Sequence, residues 1–293
     1  MHAQVGRLER VDEEGAVSYP EGMLGSHGLM VVRLPGPAEE GGRRCYPGAV
    51  ASESEILTRR LARAVESCDA PLDGPFPCPY LPERSALHQT IVAAPVFPGV
   101  YHALMDLNFR RLGPAFYRPR CKGCGECRML RVPVAEFTPS RVQRRCRSRN
   151  ADLDVALVTP SPSAEKLDLY RRYLDARHDG QMDGSDSELR ALSAASAVDT
   201  REIEYRRHRR LVAVGVADLE PHAMSAVYCY FEPGESRRSL GVFNVLWMID
   251  ECRRRRLPWL YLGYWIRGSP RMSYKAGYRP CEVLADGRWS RMS

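Results

Sequence analysis

Three cysteines stand at C-x-x-C-x-x-C spacing in the stretch RPRCKGCGECRMLRV, at Cys121, Cys124 and Cys127. Thiolates at such spacing bind zinc or iron–sulfur clusters, and both kinds of site need a fourth ligand. The bacterial ferredoxin pattern would place that cysteine at position 131, which is Arg131 here. Cys78, in CPYLPER, is the candidate fourth ligand instead. The sequence therefore favours a structural zinc site over an iron–sulfur cluster, and metal-free thiols remain the alternative.

Positive charge is concentrated around these cysteines. Residues 108–150 contain 11 arginines and one lysine against two glutamates, in a chain of net charge +7. Focused positive charge is typical of a surface that binds a polyanion, and arginine donates charge-assisted hydrogen bonds to phosphate. We predict a nucleic-acid-binding surface here, with a solvated basic face as the alternative. Its densest part, SRVQRRCRSRN, contains Arg141, Arg144, Arg145, Arg147 and Arg149.

A third motif, YLGYWIRGSPRMSYKAGYRP, brings aromatic and cationic residues together near the C-terminus. It contains Tyr264, Arg267, Tyr274, Lys275 and Arg279. Aromatic rings stack on nucleotide bases, and a lysine or a tyrosine can hold an ester oxygen or a phosphate. The alternative is that the aromatic residues belong to the core and the lysine lies on the surface.

The apolar patterns predict the elements that position these motifs. In the first half, SESEILTRRLARAVES and GVYHALMDLNFRRLG are typical of helices, the second ending near Gly113, and HQTIVAAP and MLRVPVAEF of strands. SAEKLDLYRRYLDARH predicts a helix and DGQMDGSDSE a polar loop. EIEYRRHRRLVAVGVADLEPHAMSAVYCYFEP predicts three antiparallel strands with turns near His208 and residues 220–222. SLGVFNVLWMIDECRRRR predicts a long helix, and WLYLGYWI a buried strand.

This order of elements predicts an α/β (α+β) protein. An N-terminal cysteine-containing domain precedes a GNAT-like (acyl-CoA N-acyltransferase-like) domain. The stretch RSLG at residues 238–241 partly matches the R-x-x-G-x-[GA] turn with which GNAT enzymes hold coenzyme A. Phe243 stands where that turn needs a small residue, which argues against coenzyme A as the donor.

Length and composition indicate how the chain is divided into domains and where the protein is located. The 293 residues suggest two domains behind an extension. We place a variable extension at 1–70, an N-terminal domain with the cysteines and the basic segment at 71–150, and the GNAT-like domain at 151–293. No apolar run reaches the roughly 18 residues of a membrane helix, and the start MHAQVGRLER lacks a signal peptide's apolar segment. We therefore expect a cytoplasmic protein without a membrane partner, of unspecified oligomeric state.

Cysteine usage fits that compartment. Ten cysteines in a reducing environment are more often buried or metal-bound than paired in disulfides. Cys229 and Cys252 fall inside apolar segments, and we interpret them as small core residues.

Three long blocks resemble one family. CPYLPER (78–84), YRPRCKGCGECRMLRVPVAEFTPSRVQRRCRSRNADL (117–153) and SLGVFNVLWMIDECRRRRLPWLYLGYWIRGSPRMSYKAGYRPCEVLADGRW (239–289) resemble the aminoacyl-tRNA–protein transferases, especially the bacterial aspartate/glutamate leucyltransferases. The resemblance extends roughly over residues 75–290. The extension and the stretch DGSDSELRALSAASAVDTRE depart from the family pattern.

The resemblance implies an activity and its partners. Leucine, or alternatively arginine, would pass from aminoacyl-tRNA to the N-terminal α-amine of proteins beginning with Asp or Glu, which marks them for degradation through the N-degron route. No cofactor is required for the chemistry, because an aminoacyl ester is already activated. A non-catalytic zinc-ribbon RNA-binding protein with a GNAT-like domain and an acetyltransferase are the alternatives.

The resemblance also assigns roles to residues. Tyr264, Tyr274 and Lys275 become the candidate catalytic residues. Candidates for binding tRNA or the acidic N-terminus are Arg141, Arg144, Arg145, Arg147, Arg149, Arg267 and Arg279, with His178 and Asp179 from ARHDG, which resembles a further family block.

Overall fold

The computed structural model describes residues 31–33, 52–67, 72–94, 96–177 and 182–292. The helices are α1 Glu53–Glu66, α2 Val100–Asp106, α3 Arg141–Arg149, α4 Ala164–Arg177, α5 Asp186–Leu192, α6 Leu240–Arg255 and α7 Pro270–Ser273. The strands are β1 Val31–Arg33, β2 Leu72–Pro77, β3 Ser85–Ala94, β4 Arg110–Leu112, β5 Ala115–Pro119, β6 Arg128–Pro133, β7 Asp154–Val158, β8 Asp199–Arg207, β9 Arg210–Glu220, β10 Ala223–Phe231, β11 Trp259–Trp265, β12 Glu282–Ala285 and β13 Arg288–Arg291. Two 3₁₀ turns span Pro233–Arg238 and Tyr274–Gly277.

The strands form two sheets. The first sheet has the order β1-β3-β5-β4, with β2 paired to β3. The second sheet has eight strands in the order β13-β12-β6-β11-β10-β9-β8-β7. Strand β6 follows the cysteine motif directly and lies between β12 and β11 in the second sheet. The cysteine motif therefore connects the two sheets.

The second sheet and its helices confirm most of the predicted elements of the second half. Strands β8, β9 and β10 are consecutive and antiparallel, and residues of positive φ at His208 and Arg209 turn the first hairpin. Helix α6 fully buries Leu246 and Ile249 and ends before Pro258. Proline cannot continue a helix because it lacks the amide N–H and clashes with the preceding turn.

Helix α4 is confirmed, but the prediction of a polar loop after it is partly wrong. Helix α5 begins at Asp186, inside the predicted loop, because the Ser185 hydroxyl caps it by accepting the Glu188 amide N–H at 3.1 Å. His178 and Asp179 lie outside the described residues.

The helix predicted to end near Gly113 stops earlier. Helix α2 ends at Asp106, and Asn108 has a φ of +67°. Asparagine tolerates this left-handed backbone better than most residues, and its side chain bonds the Cys127 carbonyl (2.9 Å) and the Met129 amide (3.0 Å). These bonds turn the chain out of the helix and into β4, which carries Arg110 and Arg111.

The observed architecture confirms the predicted mixed α/β class. Strands β10 and β11 are parallel neighbours, paired only at residues 223–225 with 259–261. Within the second sheet the other neighbouring strands of the described residues are antiparallel. No helix in the described ranges is long and apolar enough to cross a membrane.

Candidate active site

The site lies where β10 and β11 stop pairing. Beyond Ser225 and Tyr261 the strands have no further register with each other, and each carries a bulge against its other neighbour. The extra residues are Val227 in β10 and Leu262 in β11. A bulge bends its strand and increases its twist, so the two strands separate. We call residues 227–229 and 262–264 the strand gap.

Arg110 reaches into the strand gap from β4 of the first sheet. Its Nη2 donates to the carbonyl of Val227 at 3.1 Å, and its Cζ lies 5.7 Å from the centre of the Tyr264 ring. A Cβ added to Gly263 would lie 2.9 Å from that Cζ, so only glycine leaves room for the guanidinium, and Gly263 also has a φ of +72°. Sequence reasoning missed Arg110 because its segment was predicted to be helical.

Lys275 lies beside the same gap, in the 3₁₀ turn after α7. Its Nζ donates to the Tyr264 carbonyl at 2.6 Å, and its side chain is buried at 5% exposure. Burial and then the nearby Arg110 guanidinium hold the pKa of Lys275 well below its ordinary value of 10.5. Neither Lys275 nor Arg110 forms an ion pair with a carboxylate of the described residues.

Tyr264 is part of the frame of the site. Its hydroxyl lies 2.9 Å from the Asn108 carbonyl and 3.2 Å from the Tyr117 carbonyl, and the side chain is buried. Burial raises the pKa of this hydroxyl well above its ordinary value. The hydroxyl of this candidate catalytic residue therefore donates to backbone carbonyls. The group of Tyr264 that contacts Lys275 is its backbone carbonyl.

Tyr274 lies at the mouth of the gap, with 53% of its side chain exposed. Burial of its hydroxyl end, close to Cys229, raises its pKa. Tyr173 of α4 is also close to Cys229. Burial raises the pKa of the Cys229 thiol to about 12, which leaves it protonated near neutral pH and unsuited to act as a nucleophile. The mouth is therefore lined by aromatic rings around an inert thiol.

Helix α3 places arginines next to this mouth. Ser140 caps the helix, and the Gln143 side chain donates to the Gly277 carbonyl at 3.2 Å, which fixes α3 against the turn that holds Lys275. The Asn150 side chain donates to the Arg238 carbonyl at 2.9 Å and fixes the other end of α3 near the start of α6.

The predicted phosphate-binding arginines occupy different positions on α3 and beyond. Arg147 is tied to Asp250 at 2.8 Å, and the Arg149 guanidinium donates to the Arg237 carbonyl. The remaining candidates have exposed side chains: Arg141, Arg144 and Arg145 on α3, with Arg267 and Arg279 after β11. Helix α3 therefore presents a positive surface that borders the strand gap.

Sequence comparison identifies the family. The model for the N terminus of arginine-tRNA-protein transferase matches residues 76–145, and the model for its C terminus matches residues 165–285. The chain belongs to the aminoacyl-tRNA–protein transferase family. An aspartate/glutamate leucyltransferase of Pseudomonas fluorescens SBW25 is 44% identical over 220 residues, which cover 73% of this chain and 93% of that protein. Its counterpart in Pseudomonas aeruginosa LESB58 is 42% identical over 218 residues, with the same coverage.

Solved structures add only distant likenesses. FemX has a TM-score of 0.41 at 10% identity and covers 80% of this chain and 71% of its own. A GCN5-related N-acetyltransferase from Kribbella flavida has a TM-score of 0.33 at 14% identity and covers 78% of this chain and 72% of its own.

In this transferase the four candidate ligand cysteines are neighbours. Burial and then Cys78, Cys121 and Cys124 raise the pKa of the Cys127 thiol to about 12. The Leu87 amide donates to the Cys121 sulfur at 3.4 Å, and Arg84 Nη1 donates to the Cys124 sulfur at 3.1 Å. The cysteine motif is thereby held against the start of β3.

A metal site at these cysteines stays a prediction. Across the described part of the chain, no three His, Cys, Asp or Glu side chains are placed to hold a metal ion. The thiol donors are of the type that zinc binds. Zinc and the iron–sulfur alternative therefore both remain untested predictions.

Proposed function

We propose that this transferase moves leucine from charged tRNA to the N-terminal α-amine of proteins that begin with Asp or Glu. One observation carries the proposal beyond the family: a buried lysine without a carboxylate partner lies at the strand gap, beside a positive helix. The ammonium group of a lysine on the surface is hydrated or paired with a carboxylate, whereas that of Lys275 is buried without either. The relatives named aspartate/glutamate leucyltransferase support both the donor amino acid and the acidic acceptor.

The reaction needs positioning more than activation. The lone pair of the acceptor amine attacks the carbonyl carbon of the leucyl ester, so that a C–N bond forms and the C–O bond to the terminal ribose breaks. The amine gives up one proton, and the ribose oxygen gains one. An α-amine of pKa about 7.7–8.0 is partly neutral near pH 7 and can attack without a strong base. Holding the two reactants together supplies most of the acceleration.

Lys275 is the proposed proton carrier. Burial lowers the pKa of its amine, so the neutral form is far more populated than for an exposed lysine. A neutral amine whose N–H is held by the Tyr264 carbonyl keeps a lone pair for the proton of the attacking amine. It can then return that proton to the ribose oxygen. Tyr264 is a positioning residue in this scheme.

The donor tRNA is proposed to lie along α3. The exposed arginines of the helix would contact phosphates. The Gln143–Gly277 hydrogen bond holds the helix in place beside the strand gap. Tyr274, half exposed at the mouth, would stack on the terminal base, since every base presents an aromatic face. Arg267 and Arg279 are further exposed cations close in sequence to Lys275.

A transfer assay tests the proposal. Purified protein receives radiolabelled leucyl-tRNA or arginyl-tRNA, together with peptides beginning with Asp, Glu or Ala. We expect label on the Asp and Glu peptides from leucyl-tRNA, and no label on the Ala peptide. Retained tRNA binding without transfer to any peptide would favour the RNA-binding alternative, and turnover of acetyl-coenzyme A would favour an acetyltransferase.

A further inference from the structure

We infer that Arg110 binds the side-chain carboxylate of the acceptor's first residue and thereby selects Asp and Glu. The inference rests on the proposed function and assigns its acceptor specificity to one side chain. Sequence reasoning had assigned this role to the exposed arginines of α3 or to Arg267.

The neighbouring arginines show what Arg110 lacks. Arg111, next to it in β4, donates twice to Asp218, at 2.9 Å each, and also donates to two backbone carbonyls. Arg131 is likewise paired with Asp106 and Glu282. Arg110 has one carbonyl partner, Val227, and no carboxylate partner among the described residues.

The Arg110 guanidinium, held between the separated strands, would be stabilised by an anion. Buried charges in proteins are paired, because removal from water costs several kcal/mol unless an opposite charge compensates it. Tyr80, Tyr101, Tyr117 and Tyr264 surround Arg110 and offer it no carboxylate. Burial raises the pKa of Tyr80 and of Tyr101 to about 12. An incoming carboxylate would complete the pairing through the planar N–H fork that arginine offers.

The surroundings of Arg110 also leave it reachable. The residue Arg110 is only partly buried, unlike Arg111, which is buried. The unpaired stretch of β10 and β11 leaves the space, and Gly263 contributes no side chain to fill it. A ligand can therefore meet the guanidinium without disturbing the core.

The place of Arg110 relative to Lys275 fits one residue of an acceptor. Arg110 lies against Gly263 of β11, and the Lys275 Nζ donates to the carbonyl of the next residue, Tyr264, at 2.6 Å. In an N-terminal Asp or Glu, two or three carbon atoms separate the α-amine from the side-chain carboxyl carbon. A carboxylate on Arg110 therefore brings the attacking amine to the gap beside Lys275, and a residue without a carboxylate loses this alignment.

The test compares two peptides that differ only in their first residue, Asp or Asn. Asparagine keeps the shape and removes the charge, so the wild-type protein should prefer Asp by roughly 10²-fold or more in kcat/KM. In Arg110→Gln, kcat/KM for Asp should fall about 100-fold, mostly through KM, while the slow rate with Asn stays within about threefold. The matched control is Arg118→Gln, which removes a partly buried arginine of β5 bonded to Gln89 and should leave the preference unchanged.

Several results would overturn the inference. Equal losses of kcat/KM with the Asp and Asn peptides would show a structural role for Arg110. An unchanged preference for Asp over Asn would show that another group binds the acceptor carboxylate. If Arg110→Gln does not fold, Arg110→Lys keeps a charge but not the fork. It should reduce the preference at least about tenfold, and an unchanged preference counts against the assignment.

Binding separates this inference from the proposed function. Fluorescence anisotropy with labelled Asp and Asn peptides, without tRNA, should show tighter binding of Asp to the wild type and a loss of that difference in Arg110→Gln. This result would sustain the inference even if no peptide were leucylated. No difference between the peptides on the wild type would reject it.

Discussion

Arg110 and Arg111 are adjacent in one short strand, yet they have different partners. Arg111 is paired with Asp218, whereas Arg110 ends between two strands that have separated. Sequence spacing could indicate Lys275 because it stands in a motif with aromatic residues. It could not indicate Arg110, whose contacts Val227 and Gly263 lie more than 100 residues along the chain and depend on a bulge in each strand.

Tyr264 shows a related limit of sequence reasoning. Tyr261 and Tyr264 are three residues apart, and regular alternation would place them on opposite faces of β11. The bulge at Leu262 puts both rings in the same core cluster, beneath the first sheet. The family resemblance made Tyr264 a candidate catalytic residue, and alternation along a strand could not foresee that its hydroxyl contacts the Asn108 and Tyr117 carbonyls.

Replacing Lys275 with methionine should greatly slow leucyl transfer and increase stability. The unfolded chain takes up a proton at this residue below its ordinary pKa of 10.5, while the native side chain does so only well below that pH. Stability therefore falls as the pH drops from 10.5 toward the native pKa and stays reduced below it. Lys275→Met removes this cost, so its melting temperature near pH 7 should exceed that of the wild type. Transfer should fall about 10²-fold or more.

The measurement pairs a thermal melt at pH 7 and pH 9 with the leucyl-transfer assay. Lys166 provides a matched control, because it is a buried lysine paired with Glu202 and Glu204, and Lys166→Met should lower the melting temperature. A Lys275→Met protein that melts lower than the wild type, or that retains full transfer, would contradict the proposed role of the neutral amine.

The elements were predicted well where one periodicity ran through a whole segment. The three long strands β8, β9 and β10 and helix α6 met this condition, and their turns fell where expected. The prediction failed at α2, because the Asn108 side chain bonds Cys127 and Met129, at and just before the start of β6, and these bonds end the helix. Local periodicity carries no information about such a partner.

Helix α3 carries the prediction about the donor. Replacing Arg141 and Arg145 with glutamine removes two exposed charges and leaves the anchors Gln143 and Asn150 in place. Affinity for leucyl-tRNA should fall, and the slope of log K against log salt should become less steep by about one per arginine. The control is Arg190→Gln on α5, an exposed arginine paired with Asp186. Filter binding from low to high salt gives both slopes, and an unchanged slope would place the tRNA elsewhere.

The two sheets are joined at a buried ion pair. Arg111 comes from β4 of the first sheet and Asp218 from β9 of the second, with side chains 1% and 0% exposed. Thr200 of β8 donates to the same carboxylate at 2.6 Å, and Arg111 also donates to the Leu192 carbonyl at 3.1 Å. Charges enclosed this completely are costly to leave single. The strand that presents Arg110 to the gap is thus fixed to the second sheet by its next residue.

Breaking this pair should therefore destabilise the whole molecule and disturb the site. Arg111→Met leaves Asp218 buried without its cation, which should lower the free energy of unfolding by about 3–5 kcal/mol. Arg111→Met combined with Asp218→Leu removes both charges and should recover part of that loss, whereas removing the exposed Arg190–Asp186 pair should cost at most about 1 kcal/mol. Urea unfolding followed by far-UV circular dichroism and tryptophan fluorescence measures these values. Coincident transitions for the two probes in the wild type are expected if both sheets unfold together. A loss below about 1 kcal/mol in Arg111→Met would mean that the apolar contacts between the sheets, rather than this pair, hold β4 against the strand gap.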